Sequence, residues 1–430
     1  MNGSERLTRQ KKVDAENNGI VKPLAGSPTL CVAGCLLFLF WFFPSTFTAA
    51  QSRKPEPASP GASMPKQISP EAARHFSAAK IAEAREDWQA AESEYQEALK
   101  HAPDWPEAIV NLGIVFNRQG KPDEAIVAFT RASEINPQLL GAQLNLAITY
   151  FRAQRFREAE RPLRRTLAID PTNKQAGGLL VFSLFAQDRY AEVIELGERL
   201  VAAAAYDAAM LELVARACMK LRRYDKAVSA LERRAKLPPT SAEIYLLLGE
   251  ARDNAGDSEG AIREFNRAIA ATGSSPLPDL HFALGYVWWK LRRYDYAEPA
   301  FRRELERDRN HERSIYYLGN IALSRGDWKS ALPLLERAAS AMPQDFQAHY
   351  DFGKALLQAR QVTRAADELR AAIALNAKNS GAHYQLALAY RQLKREDEAQ
   401  HELTLARELN KAEREDLEQK VQGEERKKKP

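Results

Sequence analysis

The stretch LGNIALSRGDWKSALPLLERAASAMP, from Leu318 to Pro343, decides the fold of this 430-residue chain. Within it, Ala331, Leu335 and Ala338 follow one another at spacings of four and three, which places them on one face of a helix. Gly326 and Asp327 interrupt the apolar pattern, as expected for a tight turn between two helices. The stretch therefore predicts a helix–turn–helix unit. One such unit cannot bury its own apolar face, so it needs neighbours.

The same pattern recurs along most of the chain. The small residue at Ala331 repeats every 34 residues, except for one step of 36 between Ala261 and Ala297. A leucine followed by glycine or alanine recurs in phase with it, as at Leu112-Gly113 and Leu318-Gly319. The remaining positions in register with Ala331 are Ala91, Ala125, Ala159, Val193, Ala227, Ala365 and Ala399.

A 34-residue helix–turn–helix with these anchors resembles the tetratricopeptide repeat family, from Ala72 to about Lys411. The resemblance implies an all-α fold, a right-handed superhelical solenoid of about ten repeats occupying residues 72–411. We place the repeat starts near residues 72, 106, 140, 174, 208, 242, 278, 312, 346 and 380. The fourth repeat departs from the pattern, with Val193 at the alanine site and Gly197 at the aromatic site. The scaffold does not by itself fix a chemistry.

The N-terminal part of the chain indicates export. Residues 1–28 are polar with a positive balance, and residues 29–50 contain the uncharged run LCVAGCLLFLFWFF. This order is typical of a signal peptide cleaved before Gln51, but the run is also long enough for an uncleaved transmembrane anchor, and both alternatives stay open. Val32–Cys35 also matches a lipoprotein box, although the strongest apolar run follows Cys35 instead of preceding it. We expect the repeats to lie outside the cytoplasm, either periplasmic or secreted, or anchored in the inner membrane.

Two polar segments flank the repeats. Residues 51–71 are rich in proline and serine and predict an extended linker. Residues 412–430 predict a polar capping helix that ends in a basic tail. The net charge of +5 is small and comes from mixed charges, so nucleic acid is not an expected partner.

Motifs that carry chemistry are scarce, and we predict no catalysis, no metal and no cofactor. Gly256–Gly260 fits G-x-S-x-G, but Ser258 lies in a predicted turn between helices, where a nucleophile elbow would need a preceding strand. Cys218 falls on a core-facing helix position and is expected to be buried. Four histidines share the fourth position of a repeat, where we expect the ring to fill an aromatic slot: His75, His281, His349 and His383.

Binding is the function that remains. In the tetratricopeptide repeat family, positions 2, 5, 9, 12 and 13 of the first helix tend to line the concave groove. Carried onto this sequence, these positions hold aromatic rings interleaved with Lys, Arg and Asn, a combination suited to a peptide with apolar and acidic character. We expect the rings to be exposed on one continuous strip. The predicted groove residues are Phe282, Tyr286, Trp289, Lys290, Arg313, Tyr316, Asn320, Tyr350, Lys354 and Tyr384.

The sequence thus favours a scaffold for protein or peptide partners, in bacterial envelope assembly, secretion or polymer synthesis. Two alternatives stay open: an accessory subunit of an envelope enzyme, and a self-associating structural array. The expected partners are proteins or peptides, with contact to the membrane through residues 29–50 if that segment is uncleaved and self-association as a further possibility.

Overall fold

The structure is a computed structural model that describes residues 68–273 and 277–427. Within these ranges it contains twenty α-helices and no β-strand, so the predicted all-α repeat solenoid is confirmed. The helices are α1 Pro70–Ala84, α2 Trp88–His101, α3 Pro106–Arg118, α4 Pro122–Ile135, α5 Leu140–Arg152, α6 Phe156–Ile169, α7 Lys174–Phe185, α8 Tyr190–Ala202, α9 Ala208–Lys220, α10 Tyr224–Ala235, α11 Ala242–Asn254, α12 Ser258–Ala271, α13 Leu280–Lys290, α14 Tyr294–Arg307, α15 Glu312–Ser324, α16 Trp328–Ala341, α17 Phe346–Gln358, α18 Val362–Leu375, α19 Ser380–Gln392 and α20 Glu396–Lys427.

The chain divides into two compact units. The first contains α1 to α6 together with residues 182–189, and the second contains residues 172–181 and everything from Tyr190 onward. A repeat consists of an odd-numbered first helix and an even-numbered second helix, and the two pack against each other in repeats one to three and five to ten. The predicted groove residues all belong to the second unit.

Each of the ten repeats turns between its two helices through one residue with positive φ. Glycine occupies this place at Gly120, Gly256 and Gly326, and a residue with a side chain occupies it elsewhere, as at Arg360 with φ 58°. Glycine adopts this left-handed conformation without a steric penalty, whereas other residues strain the backbone. In three repeats the helix that follows begins with an aspartate cap, at Asp87, Asp257 and Asp327, and the Asp327 carboxylate accepts from the Ser330 amide at 3.1 Å.

The small residues that recur in the sequence lie where two helices of one repeat touch. Ala125 and Ala331 are fully buried. A Cβ built on Gly113 would lie only 2.7 Å from the Phe129 ring, and one on Gly319 only 2.8 Å from Leu335. Close approach of the two backbones therefore requires a small residue at these positions, which explains the 34-residue register.

Consecutive repeats share their cores. Val115 of α3 packs into a cluster with Ala91 and Tyr95 of the preceding second helix. Leu386 and Ala389 of α19 pack in the same way with Leu369 of α18. At these two places, one in each unit, the first helix of a repeat completes the core of the repeat before it.

The last helix continues beyond the last repeat. Residues 412–427, for which a polar capping helix is predicted, are helical and continue α20, which runs without interruption from Glu396 to Lys427. The predicted residues 1–28, the signal or anchor segment 29–50 with Cys35, and most of the 51–71 linker lie outside the described residues, as do residues 428–430. Among the helices that are described, none combines the length and apolar character needed to cross a membrane.

Candidate functional site

Four aromatic side chains from repeats seven and eight form one cluster, which we call the aromatic platform: Phe282, Tyr286, Trp289 and Tyr317. Phe282, Tyr286 and Trp289 stack in a row along α13, with ring centroids 6.2 Å and 6.0 Å apart. Tyr317 of α15 meets Tyr286 and Trp289 edge to face, with centroids 5.5 Å and 4.8 Å away. Phe282 and Tyr317 are buried, whereas Tyr286 and Trp289 are half-buried. The platform therefore offers two partly accessible rings on a rigid aromatic base.

A chain of hydrogen bonds links the platform to the ninth repeat through the buried carboxylate of Asp351. We call it the Asp351 network. The Trp289 indole N–H donates to Asn320 Oδ1 at 2.9 Å, and the Asn320 amide donates to Asp351 Oδ2 at 2.8 Å. The Tyr316 hydroxyl donates to the same carboxylate oxygen at 2.8 Å, and Lys354 donates to its other oxygen at 3.1 Å. The network satisfies a carboxylate that is only 3% exposed.

The titratable groups of this network respond to burial and to Asp351. Burial and the adjacent Asp351 charge raise the pKa of Tyr316 well above its usual range. Burial alone would lower the pKa of Lys354, but pairing with Asp351 outweighs it and raises the pKa. Lys354 therefore stays cationic and neutralises the buried carboxylate.

The cations of the predicted groove are not equivalent. Lys290 is already paired with both carboxylate oxygens of Asp253, at 2.8 Å and 2.9 Å, and Lys354 is paired with Asp351. The Arg313 guanidinium lies over the Phe282 ring, 4.6 Å from its centroid. Within the described part of the chain it forms no ion pair, so its donors stay available to a ligand.

A half-buried carboxyl group from the sixth repeat influences the same surface. Burial raises the pKa of Glu250 to about 7, while the charges of Arg216 and Arg313 act in the opposite direction and Asp279 adds to the rise. Glu250 occupies the ninth position of the sixth repeat, and Tyr286 occupies the same position of the seventh. The Glu250 carboxyl group therefore has a pKa near neutral, and the charge of Arg313 acts to lower that pKa.

The expectation that all the predicted rings are exposed is wrong for two of them. Phe282 is 2% exposed and Tyr316 is 9% exposed. Phe282 is covered by Arg313 and Tyr317, and Tyr316 points its hydroxyl inward to Asp351. Both contribute to the rigidity of the site and present little ring surface to a ligand.

The remaining two predicted residues lie beyond the platform. Tyr350 is half-buried, stacks on Phe346 with centroids 5.5 Å apart and lies beneath the Lys354 ammonium group. Tyr384 is 48% exposed and lines a separate pocket between α19 and α20. The structure therefore brings nine of the ten predicted residues into repeats seven to nine and leaves Tyr384 at the C-terminal end.

Three residues of the site were missed by the sequence analysis. Tyr317 lies at the sixth position of its helix, which is not one of the groove positions used for the prediction. This position faces the neighbouring first helix, so the Tyr317 ring joins the platform. Asp351 and Glu250 were missed because their carboxyl groups had no evident partner in the sequence. Asn320 lies 31 residues before Asp351 and Tyr316 lies 35 residues before it, close to one repeat length, and this spacing is the signal that could have indicated the contact.

Three of the four repeated histidines pair with a glutamate of the same repeat. His349 Nδ1 lies 2.7 Å from Glu368, His383 Nδ1 lies 2.5 Å from Glu402, and His75 repeats the arrangement with Glu94. Each glutamate follows its histidine by 19 residues, so a carboxylate recurs with three of the histidines that were expected only to fill an aromatic slot. The pairs join the first and second helices of a repeat.

The other singled-out residues have structural partners. Cys218 is fully buried as predicted, and burial raises the pKa of its thiol to about 11. Ser258 begins α12 directly after the Asp257 cap, and its hydroxyl donates to Asp253 at 2.9 Å. No group of three or more His, Cys, Asp or Glu side chains is arranged to hold a metal ion in residues 68–273 and 277–427.

Comparisons with known proteins give relatives of the same architecture. The chain is 22% identical over 261 residues to anaphase-promoting complex subunit 3 of Schizosaccharomyces pombe, covering 61% of this chain and 39% of that protein. It is 23% identical over 209 residues to the BBSome complex member BBS4 of Bos taurus, covering 41% of this chain and 40% of that protein. The chain thus spans less than half the length of these relatives.

Solved structures with a similar helical arrangement include two shorter chains. MamA from Desulfovibrio magneticus is 23% identical, with a TM-score of 0.37, over 40% of this chain and 96% of that one. YrrB, described as a TPR protein with an unusual peptide-binding site, is 20% identical, with a TM-score of 0.38, over 43% of this chain and 93% of that one.

Family models give the clearest assignment. The model described as anaphase-promoting complex, cyclosome, subunit 3 matches residues 327–404. Two models described as tetratricopeptide repeat match residues 116–181 in one case, and residues 76–139, 213–276, 246–312 and 282–346 in the other. Together these two cover more than half of the chain. The chain belongs to the tetratricopeptide repeat family.

Proposed function

We propose that this protein is a non-catalytic scaffold that binds a protein or peptide partner on the aromatic platform of repeats seven and eight. The observation that carries this proposal is the combination of half-buried Tyr286 and Trp289 with the unpaired Arg313 guanidinium. Tyrosine, tryptophan and arginine are the residue types enriched at binding hot spots, and a rigid base lowers the entropy lost on binding.

The chemistry of the platform defines the partner more closely. Aromatic faces accept apolar side chains by contact, and Arg313 supplies a planar pair of donors for a carboxylate. Lys290 and Lys354 already neutralise carboxylates of this chain, so they add little attraction for an acidic ligand. The expected partner therefore carries an apolar side chain next to a single acidic group.

Relatives with known partners are consistent with a binding role. Anaphase-promoting complex subunit 3 is named as part of a multi-protein complex, and YrrB is named for a peptide-binding site. We extend only the general role, protein or peptide binding by a repeat scaffold, to this chain.

We also place this scaffold in the bacterial envelope, with residues 29–50 as signal or anchor and the repeats outside the cytoplasm. The support is the sequence of that segment alone: an apolar run after a positively balanced flank and before a proline-rich linker. Reporters fused after residue 71 test it. Activity only from a reporter that works in the cytoplasm would contradict export.

The binding test compares variants of the platform with matched variants outside it. Tyr286→Ala and Arg313→Ala should each weaken partner capture at least tenfold, the factor that corresponds to about 1.4 kcal/mol. Tyr296→Ala and Arg293→Ala are the controls. Tyr296 is 63% exposed in the same repeat, and Arg293 stacks on Trp288 away from the platform. Both controls should bind as the wild type does.

The assay is a pull-down with the full chain, followed by mass spectrometry and titration of the captured protein. One dominant enzyme would support the accessory-subunit alternative, and capture of this chain alone would support the self-associating array. Partners that bind Tyr286→Ala and Arg313→Ala as tightly as the wild type would place the binding site elsewhere.

A further inference from the structure

The interface between consecutive repeats follows one rule. Within each unit, the tenth residue of a repeat, counted from the repeat starts given above, is buried against the second helix of the preceding repeat. Val115, Val287 and Ala389 occupy this position in α3, α13 and α19, and they are 0%, 1% and 0% exposed. All three lie in clusters with residues of the second helix before them.

At the N-terminal end this position is uncovered. Ile81 is the tenth residue of the first repeat in α1, and its side chain is 55% exposed. No helix of the described residues precedes α1. End repeats of solenoids usually carry a polar outer face, because no neighbour covers them. A large β-branched residue at this place is instead typical of an interior repeat.

At the C-terminal end the complementary position is uncovered. Leu335 and Leu369 lie at one position of α16 and α18 and are fully buried, since the next first helix helps to cover them. Leu403 has the same position in α20 and is only half-buried. A pocket of about 690 Å³ opens beside it, bounded among others by Tyr384, Ala406, Arg407, Lys411 and Arg414. We call this pocket the terminal slot.

The terminal slot has a small excess of basic side chains. Arg407, Lys411 and Arg414 follow one another at spacings of four and three, so they lie along one face of α20, and Glu415 and Glu418 also line the slot, with Glu415 3.8 Å from Lys411. Between interior repeats, loops as short as four residues bring the start of a first helix next to the end of the preceding second helix. If α1 occupied the slot in that way, its exposed Glu71 would lie near Lys411 and Arg414.

From this correspondence we infer that the protein associates head to tail with a second copy of itself. Helix α1 of one copy occupies the terminal slot of the next, where Ile81 contacts Leu403 and Glu71 faces Lys411 and Arg414. The contact repeats the interface that already joins consecutive repeats within one chain. It is independent of the aromatic platform and would persist if the proposed partner site were wrong.

This contact joins two different surfaces, so a dimer keeps one free α1 and one free slot. Association therefore continues by addition at either end unless the copies close into a ring. Weight-average mass should rise with protein concentration without levelling at that of a dimer.

The test uses sedimentation velocity of the full chain in a non-ionic detergent, which keeps the apolar stretch 30–43 dispersed. Ile81→Asp removes the apolar contact at one end, and the double variant Lys411→Glu with Arg414→Glu reverses the charge at the other. The matched control is Val127→Asp, because Val127 is an interior-repeat residue that is 69% exposed. Each of these side chains is exposed, and circular dichroism verifies that the variants stay folded.

We expect each end variant to weaken association at least tenfold and the control to leave it unchanged. Ile81→Asp keeps an intact slot, whereas the charge-reversed variant keeps an intact α1. An equimolar mixture of the two should therefore form dimers and nothing larger. A Glu71→Lys variant that keeps Ile81 should bind the charge-reversed slot again, because the two sides of the contact then carry opposite charges.

Three results would overturn the inference. The first is a wild type that stays monomeric at every concentration. If Ile81→Asp were then also less stable than the wild type, the side chain of Ile81 would be covered by residues of the same chain that precede residue 68, and not by a second copy. The second is association that both end variants retain, and the third is a mixture of the two variants that fails to form dimers.

Discussion

The hydrogen bond from Tyr316 to Asp351 gives the most direct test of the site. Tyr316→Phe removes one hydroxyl and keeps the ring, which is 9% exposed and packs edge to face on Tyr317. The lost bond is 2.8 Å long and ends on a buried carboxylate. Hydrogen bonds to charged groups contribute about 1.5–3 kcal/mol, so we expect the eighth and ninth repeats to lose about 2 kcal/mol of stability.

Hydrogen exchange measured by mass spectrometry is the suitable assay, because a repeat protein opens locally and does not unfold in one step. A loss of 2 kcal/mol corresponds to roughly 30-fold faster exchange. The acceleration should be confined to α15 and α17 and their immediate neighbours. Tyr296→Phe is the control, since its ring is 63% exposed and lies outside the Asp351 network.

A second variant measures how much of this stability depends on the charge of the acceptor at residue 351. In an Asp351→Asn background the acceptor is neutral, and hydrogen bonds between neutral groups are roughly half as strong. Tyr316→Phe should therefore cost about half as much there. Unchanged exchange in α15 and α17, or equal acceleration along the whole chain, would refute the role assigned to this bond.

Two further predictions concern stability. Gly326→Ala should lower the free energy of unfolding by about 1 kcal/mol, because the residue has φ 77° and no atom lies close to the added Cβ to compensate the backbone strain. Arg360→Gly, at the equivalent turn, should raise the free energy of unfolding. Shifts of the urea midpoint in the opposite senses would contradict both predictions. Glu250→Gln should stabilise the protein increasingly between pH 4.5 and about 7, by at most about 3 kcal/mol, and melting curves across that range measure it. The sign follows because the raised pKa means that the folded protein binds the carboxyl proton more tightly than the unfolded chain does, so deprotonation destabilises the fold. A stability difference that does not change with pH would contradict it.

The register of the repeats could be predicted because it rests on single contacts. Where two helices approach closely, only a small residue fits between them. Each such contact therefore appears in the sequence as Ala or Gly, as at Ala331 and Gly319. The exposure of an aromatic ring could not be predicted in the same way. Phe282 is covered because Arg313 and Tyr317 of the next repeat happen to be large, and no property of Phe282 itself reveals this.

The polar contacts of the site were equally hard to predict. Asp351 obtains two partners, Tyr316 and Asn320, from the preceding repeat and a third, Lys354, from its own helix, and only the spacing of about one repeat length could have indicated the first two. The His–Glu pairs could have been found, because their spacing of 19 residues recurs three times. Position 5 of the first helix was assigned to the groove by resemblance, yet it also faces the neighbouring first helix, and its burial depends on which residue lies there.

The connections of the fold also determine where the chain can change in length. The turn within each repeat is three residues long in every repeat but the fourth, and each contains one left-handed residue. An added residue there would rotate the second helix by about 100° against the first and separate the small residues from their contacts. The connection between repeats six and seven, from Ala271 to Leu280, is instead longer than its counterparts, and the pattern resumes beyond it. Insertions acquired in evolution, and tags introduced in the laboratory, should therefore be tolerated between repeats and rejected within them.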